Sequence, residues 1–106
     1  MKIFFDVSTT NYEENKELLI KALDYLQNRC EIVNGYQLGK PVSRFGWTFF
    51  KLWLKPNLVL KIEENLSDMI KKTKGKKYEE KFTNFMSDYF LSKGCNVKLK
   101  LTENED

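Results

Sequence analysis

Apolar and polar residues alternate at the start of the chain. Ile3, Phe5 and Val7 fall on one side, and Lys2, Phe4 and Asp6 on the other, the period of a strand with one buried face. Ser8 to Asn11 interrupts the alternation. Thr10-Asn11-Tyr12-Glu13 then has the form of a capping box, in which a hydroxyl and a carboxylate satisfy the free amides of a helix start. The spacing of Leu18, Leu19, Ala22, Leu23 and Leu26 predicts a helix to about Arg29. Glu13, Glu14 and Glu17 stand near its start and Arg29 at its end, as the helix dipole favours.

Cys30 to Val33 reads as a short strand and Asn34-Gly35 as a turn, because both residues accept positive φ. Tyr36 to Leu38 is expected to pair back across that turn, before Gly39-Lys40-Pro41 breaks the pattern. Trp47 to Leu54 alternates again. Phe50, Leu52 and Leu54 share one face, and Trp47, Phe49, Lys51 and Trp53 the other. A helix over this segment is the rival; its β-branched and aromatic residues and the flanking prolines favour a strand. Lys55-Pro56-Asn57 reads as a turn, and Leu58 to Ile62 as the returning strand of a hairpin.

Asn65-Leu66-Ser67-Asp68 resembles a second helix start, with Leu66, Met69 and Ile70 as a short apolar stripe. The lysine-rich run from Lys71 to Lys77 interrupts it at Gly75. Tyr78, Phe82, Phe85, Met86 and Tyr89 predict a helix over about 77–92, closed by Lys93-Gly94. Asn96 to Thr102 is a final alternating strand, with Val97, Leu99 and Leu101 inward and Lys98 and Lys100 outward.

The order of these elements predicts an α+β fold, a two-layer sandwich with helices on one face of a mainly antiparallel sheet. A ferredoxin-like β-α-β-β-α-β topology is the leading expectation, with residues 30–46 as an insertion. Residues 1–102 form one domain and 103–106 a short acidic tail.

Composition narrows the chemistry. The chain contains no histidine, so nucleophile systems that use one, and the usual zinc and iron ligand sets, are excluded within it. Cys30 and Cys95 are isolated thiols and fit a reducing compartment. No apolar run spans a bilayer, and an acid at position 6 comes too early for a signal peptide, so a cytoplasmic protein without membrane contact is expected. Lys, Asn, Phe, Tyr and Ile are abundant, which suggests an AT-rich coding sequence of the kind common in phages and other mobile elements.

Two basic features stand out. The segment Arg44–Ile62 gathers both tryptophans, Phe45, Phe49 and Phe50 with Arg44, Lys51, Lys55 and Lys61. On an uncovered sheet face, Trp47, Phe49, Lys51, Trp53 and Lys61 could anchor a protein partner, or stack on unpaired bases while lysines neutralise phosphates. Lys71, Lys72, Lys74, Lys76 and Lys77 could add electrostatic steering, although nearby glutamates dilute their field.

Asp6 at a strand end is the one candidate magnesium ligand, and capping is the preferred reading of the threonines after it. The expectation is therefore a small non-enzymatic interaction protein, an accessory or inhibitor protein, with no cofactor and no metal. A protein partner is favoured; single-stranded nucleic-acid binding, a magnesium-dependent nuclease and a homodimer are the alternatives.

Overall fold

A computed structural model describes residues 3–102. Strand β1 is Ile3–Thr9, helix α1 is Tyr12–Arg29, and strands β2, β3 and β4 are Tyr36–Leu38, Val42–Arg44 and Trp47–Leu54. Helices α2 and α3 are Pro56–Lys72 and Tyr78–Ser92, and β5 is Lys98–Thr102. β4 and β1 lie at the centre of the sheet, with β5 beside β1 and with β2 and β3 sharing the other flank of β4. Every pairing is antiparallel. If β2 and β3 are counted as one interrupted strand, and α2 and α3 as one crossover, the connectivity reads β-α-β-β-α-β; the ferredoxin-like description rests on that counting.

Alternation sets the layers. Ile3, Phe5 and Val7 of β1 and Phe50, Leu52 and Leu54 of β4 are buried in one cluster with Leu19, Leu23 and Leu26 of α1, Leu58 and Ile62 of α2, and Phe82, Met86 and Phe90 of α3. All three helices thus cover the same face of the sheet. At about 25 cal/mol per Å² of apolar surface removed from water, these side chains dominate the stabilisation.

The first helix starts one residue later in the capping pattern than expected. Asn11 is the N-cap, its side chain accepting from the Glu14 amide and donating to the Glu14 carboxylate. Thr9 Oγ1 instead accepts from the Asn11 amide at 3.2 Å and from Asn15 Nδ2 at 2.7 Å. Asn15 Oδ1 accepts from the Asn96 amide at 3.1 Å. This partly buried polar knot joins β1, α1 and the lead into β5.

Three expectations are corrected. Residues 58–62 are helical, with Pro56 in the first turn of α2, where a missing N–H costs nothing and the fixed φ suits the helix. Leu58, Val59 and Ile62 are buried while Leu60 is exposed, a helical rather than an alternating pattern. Lys61 is therefore on a helix and not on the open sheet face; its Nζ lies 4.0 Å from Glu64 Oε1. Asn65-Leu66 is not a helix start but a break within α2, where Leu66 has φ −126° and ψ 19°. Residues 30–33 form no strand, and β2 pairs with β4 rather than back across Asn34-Gly35. Residues 36–44 are accordingly part of the sheet. The predicted acidic tail, 103–106, lies outside the described residues.

Candidate interaction surface

No helix among the described residues covers the second face of the sheet, and its side chains follow from register. One row across β3, β4, β1 and β5 is Val42, Phe49, Ser8 and Lys98. The next is Lys51, Asp6 and Lys100, and the third is Gln37, Trp53, Phe4 and Thr102. Arg44 pairs with Trp47 at the hairpin end. Direct cross-strand neighbours on one face lie within side-chain reach of each other.

Val42 faces outward because of an irregularity in the edge. Leu38 pairs with Leu52 on the buried face, and Val42 pairs with Phe49. Gly39, Lys40 and Pro41 oppose only Phe50 and Lys51, with the Gly39 amide donating to the Lys51 carbonyl at 2.8 Å. One extra residue is a bulge, and it reverses which side chains point out. Proline, lacking a donor, suits this position. Without the bulge Val42 would lie on the face of Leu38. With it, Val42 is 53% exposed beside Phe49 at 43%.

The β3–β4 turn adds a third exposed apolar group. Phe45 and Gly46 have φ of 51° and 82°, the φ signature of a type I′ hairpin turn. Phe45 is fully exposed at its tip. A phenylalanine pays a steric cost in this left-handed conformation that asparagine or glycine would largely avoid.

The two indoles are more enclosed. Trp53 is stacked on Phe4, ring centroids 5.6 Å apart and planes 4° apart, and Lys55 Nζ lies 5.6 Å from its centroid. Its Nε1 is buried without a hydrogen-bond partner among the described residues. Lys98 Nζ lies 5.0 Å from the Trp47 ring centroid. Both are half-buried, whereas Phe49 is exposed.

Charge on this face is predominantly positive. Lys51 Nζ pairs with Asp6 Oδ1 at 3.1 Å, so Asp6 is engaged by a lysine. Arg44, Lys98 and Lys100 have no carboxylate partner among the described residues. Among those residues, no three acidic or cysteine side chains gather at a spacing that could hold a metal ion.

The structure therefore brings Trp47, Phe49, Lys51 and Trp53 together but separates them from the lysine run. Lys71 and Lys72 end α2, while Lys74, Lys76 and Lys77 lie in the connection to α3, within the helical layer. That connection is held by α3: Lys81 Nζ donates to the carbonyls of Lys71 and Thr73 at 3.0 and 3.1 Å, and Asn84 Nδ2 to that of Lys74 at 2.9 Å. The lysine side chains themselves are exposed. Sequence reasoning passed over Val42 and Phe45. The extra residue around Gly39-Lys40-Pro41 was the signal for the first, and the dipeptide Phe45-Gly46 between two alternating runs was the signal for the second.

No helix among the described residues is long and apolar enough to cross a membrane. Neither protein-family models, nor curated proteins, nor solved structures give a match to this chain.

Proposed function

We propose that this chain is a small non-catalytic interaction protein that occupies an acidic surface on a larger protein through the open face of its sheet. The observation that carries the reading is the bulge-turned pair Val42–Phe49, exposed on a face whose neighbouring Arg44, Lys98 and Lys100 have no carboxylate partner among the described residues. Exposed apolar groups beside unpaired cations suit a partner that offers an apolar contact with an acidic rim. Phe49 and Val42 are the anchors, Phe45 extends them at the hairpin tip, and Trp47 and Trp53 form the platform beneath.

The state of the rings favours protein over single-stranded nucleic acid. Base stacking needs a free aromatic face. Trp53 already stacks on Phe4, and lysine ammonium groups lie over Trp53 and Trp47.

The test is capture from nuclease-treated lysate of the source cell with the parent chain and with Phe49→Asp as baits, followed by reconstitution with the purified partner. The expected result is one partner with an acidic contact surface, bound less tightly as salt rises and lost with Phe49→Asp. Binding that requires intact nucleic acid, or that survives Phe49→Asp, would overturn the reading.

A further inference from the structure

A second feature lies in the helical layer. A cavity of about 490 Å³ opens between α1, α2 and α3, a volume in the range of small-molecule sites. Its walls include Leu26, Leu66, Met69 and Phe85. The break in α2 at Leu66 falls on one wall, and Met69 is largely exposed.

One end of the cavity is aromatic and cationic. Tyr25, Arg29 and Tyr89 line it, and Lys93 Nζ lies 4.2 Å from the Tyr25 ring centroid and 5.9 Å from that of Tyr89. Tyr89 is fixed there by a hydrogen bond to the Ala22 carbonyl at 2.6 Å. The Arg29 charge reaches both Tyr89 and the Cys30 thiol. Neither Arg29 nor Lys93 has a carboxylate partner among the described residues. Asp88 also lines the cavity, but it is shared with an adjoining hollow that carries Lys72 and Lys74. Arg29 in the wall, with Lys93 beside it over the lining Tyr25 ring, defines the polarity of a ligand.

We propose that this cavity binds a small amphipathic anion, an aromatic or acyl body with one acidic head. The body lies on Leu26, Leu66, Met69 and Phe85, and the head points to Arg29 and Lys93. The site is independent of the open sheet face.

The test uses the full chain and two dyes with the same aromatic rings, 8-anilinonaphthalene-1-sulfonate and the uncharged N-phenyl-1-naphthylamine. Both are titrated by fluorescence, with stoichiometry from calorimetry. Each is expected to bind one-to-one, the sulfonate about fivefold more tightly, as for one charge contact near a protein surface. Arg29→Gln combined with Lys93→Gln removes that preference and leaves the uncharged dye unaffected. Met69→Trp, at an exposed position, fills the cavity and abolishes both. An unchanged thermal midpoint confirms that each variant folds. No saturable one-to-one binding, equal affinity for the two dyes, binding that survives Met69→Trp, or a dimer from which both dyes are excluded would each overturn the proposal.

Discussion

Phe4 and Trp53 stack across the β1–β4 pair with their ring planes 4° apart, on the face of the sheet that no helix among the described residues covers. The aromatic residues of this face therefore divide into a supported pair and an exposed set. Trp53 is packed against Phe4 within the face, whereas Phe49 and Val42 are exposed.

That division is testable by substitution. Trp53→Ala removes a half-buried ring and leaves Phe4 without its partner, so a loss of about 2–3 kcal/mol in stability is expected. Phe49→Ala should cost under about 1 kcal/mol while weakening partner binding severely. Urea unfolding of the two variants separates them; equal losses would remove the distinction.

Phe45 offers a different comparison. It is fully exposed at φ 51°. Asparagine accepts this conformation far better, so Phe45→Asn should stabilise the free chain by about 0.5–1 kcal/mol. The same substitution should weaken partner binding. Such a trade between stability and contact is expected where a residue is retained for binding. A lower melting temperature for Phe45→Asn would contradict this account of the turn.

Asn15 is the polar residue that the apolar stripe of α1 did not announce. It donates to Thr9 Oγ1, and its Oδ1 accepts from the Asn96 amide. Asn15→Ala strands the Asn96 amide in a partly buried setting and takes one of its donors from Thr9 Oγ1, which keeps the Asn11 amide, for a cost of about 1–3 kcal/mol. A double-mutant cycle with Thr9→Val should show coupling between the two side chains, and strict additivity would argue against the knot.

Alkaline pH should destabilise the fold. Burial raises the Cys95 thiol from its ordinary 9.0 to about 11 and, together with the nearby Tyr25, raises the Tyr89 phenol from 10.0 to about 12. Burial and hydrogen bonds to Asp24 and Glu63 raise Tyr36 and Tyr78 further. In each case the unfolded chain loses its proton first. Stability from these groups is thus fully present below the unfolded values and falls as pH rises from about 9 to 12. Burial also raises the Cys30 thiol from 9.0. Urea midpoints across this range check the decline, and Cys95→Ala should reduce its earliest part, which the two thiols share.

Strands β1 and β5, helix α1, the faces of β4 and helix α3 could be read from the sequence because each has one buried face and a clear period. Residues 58–62 could not. Leu58, Leu60 and Ile62 alternate, but Leu58, Val59 and Ile62 also fit a helix, and Pro56 serves a turn or a first helical turn equally well. Strand β3 is exposed throughout, so no burial pattern marks it. For the candidate surface, Trp47, Phe49, Lys51 and Trp53 were legible from alternation within one strand. Val42 depended on a bulge, and the cavity on three helices meeting, both matters of tertiary arrangement.

The most direct measurement is site-specific photo-crosslinking in the source cell, with benzoylphenylalanine replacing Phe49 in one variant and Leu60, exposed on α2, in another. The expected result is a single identified protein cross-linked through an acid-rimmed surface from position 49, insensitive to nuclease, and absent from position 60. The same products from both positions, or none from position 49, would contradict the assignment of the open sheet face as the contact surface.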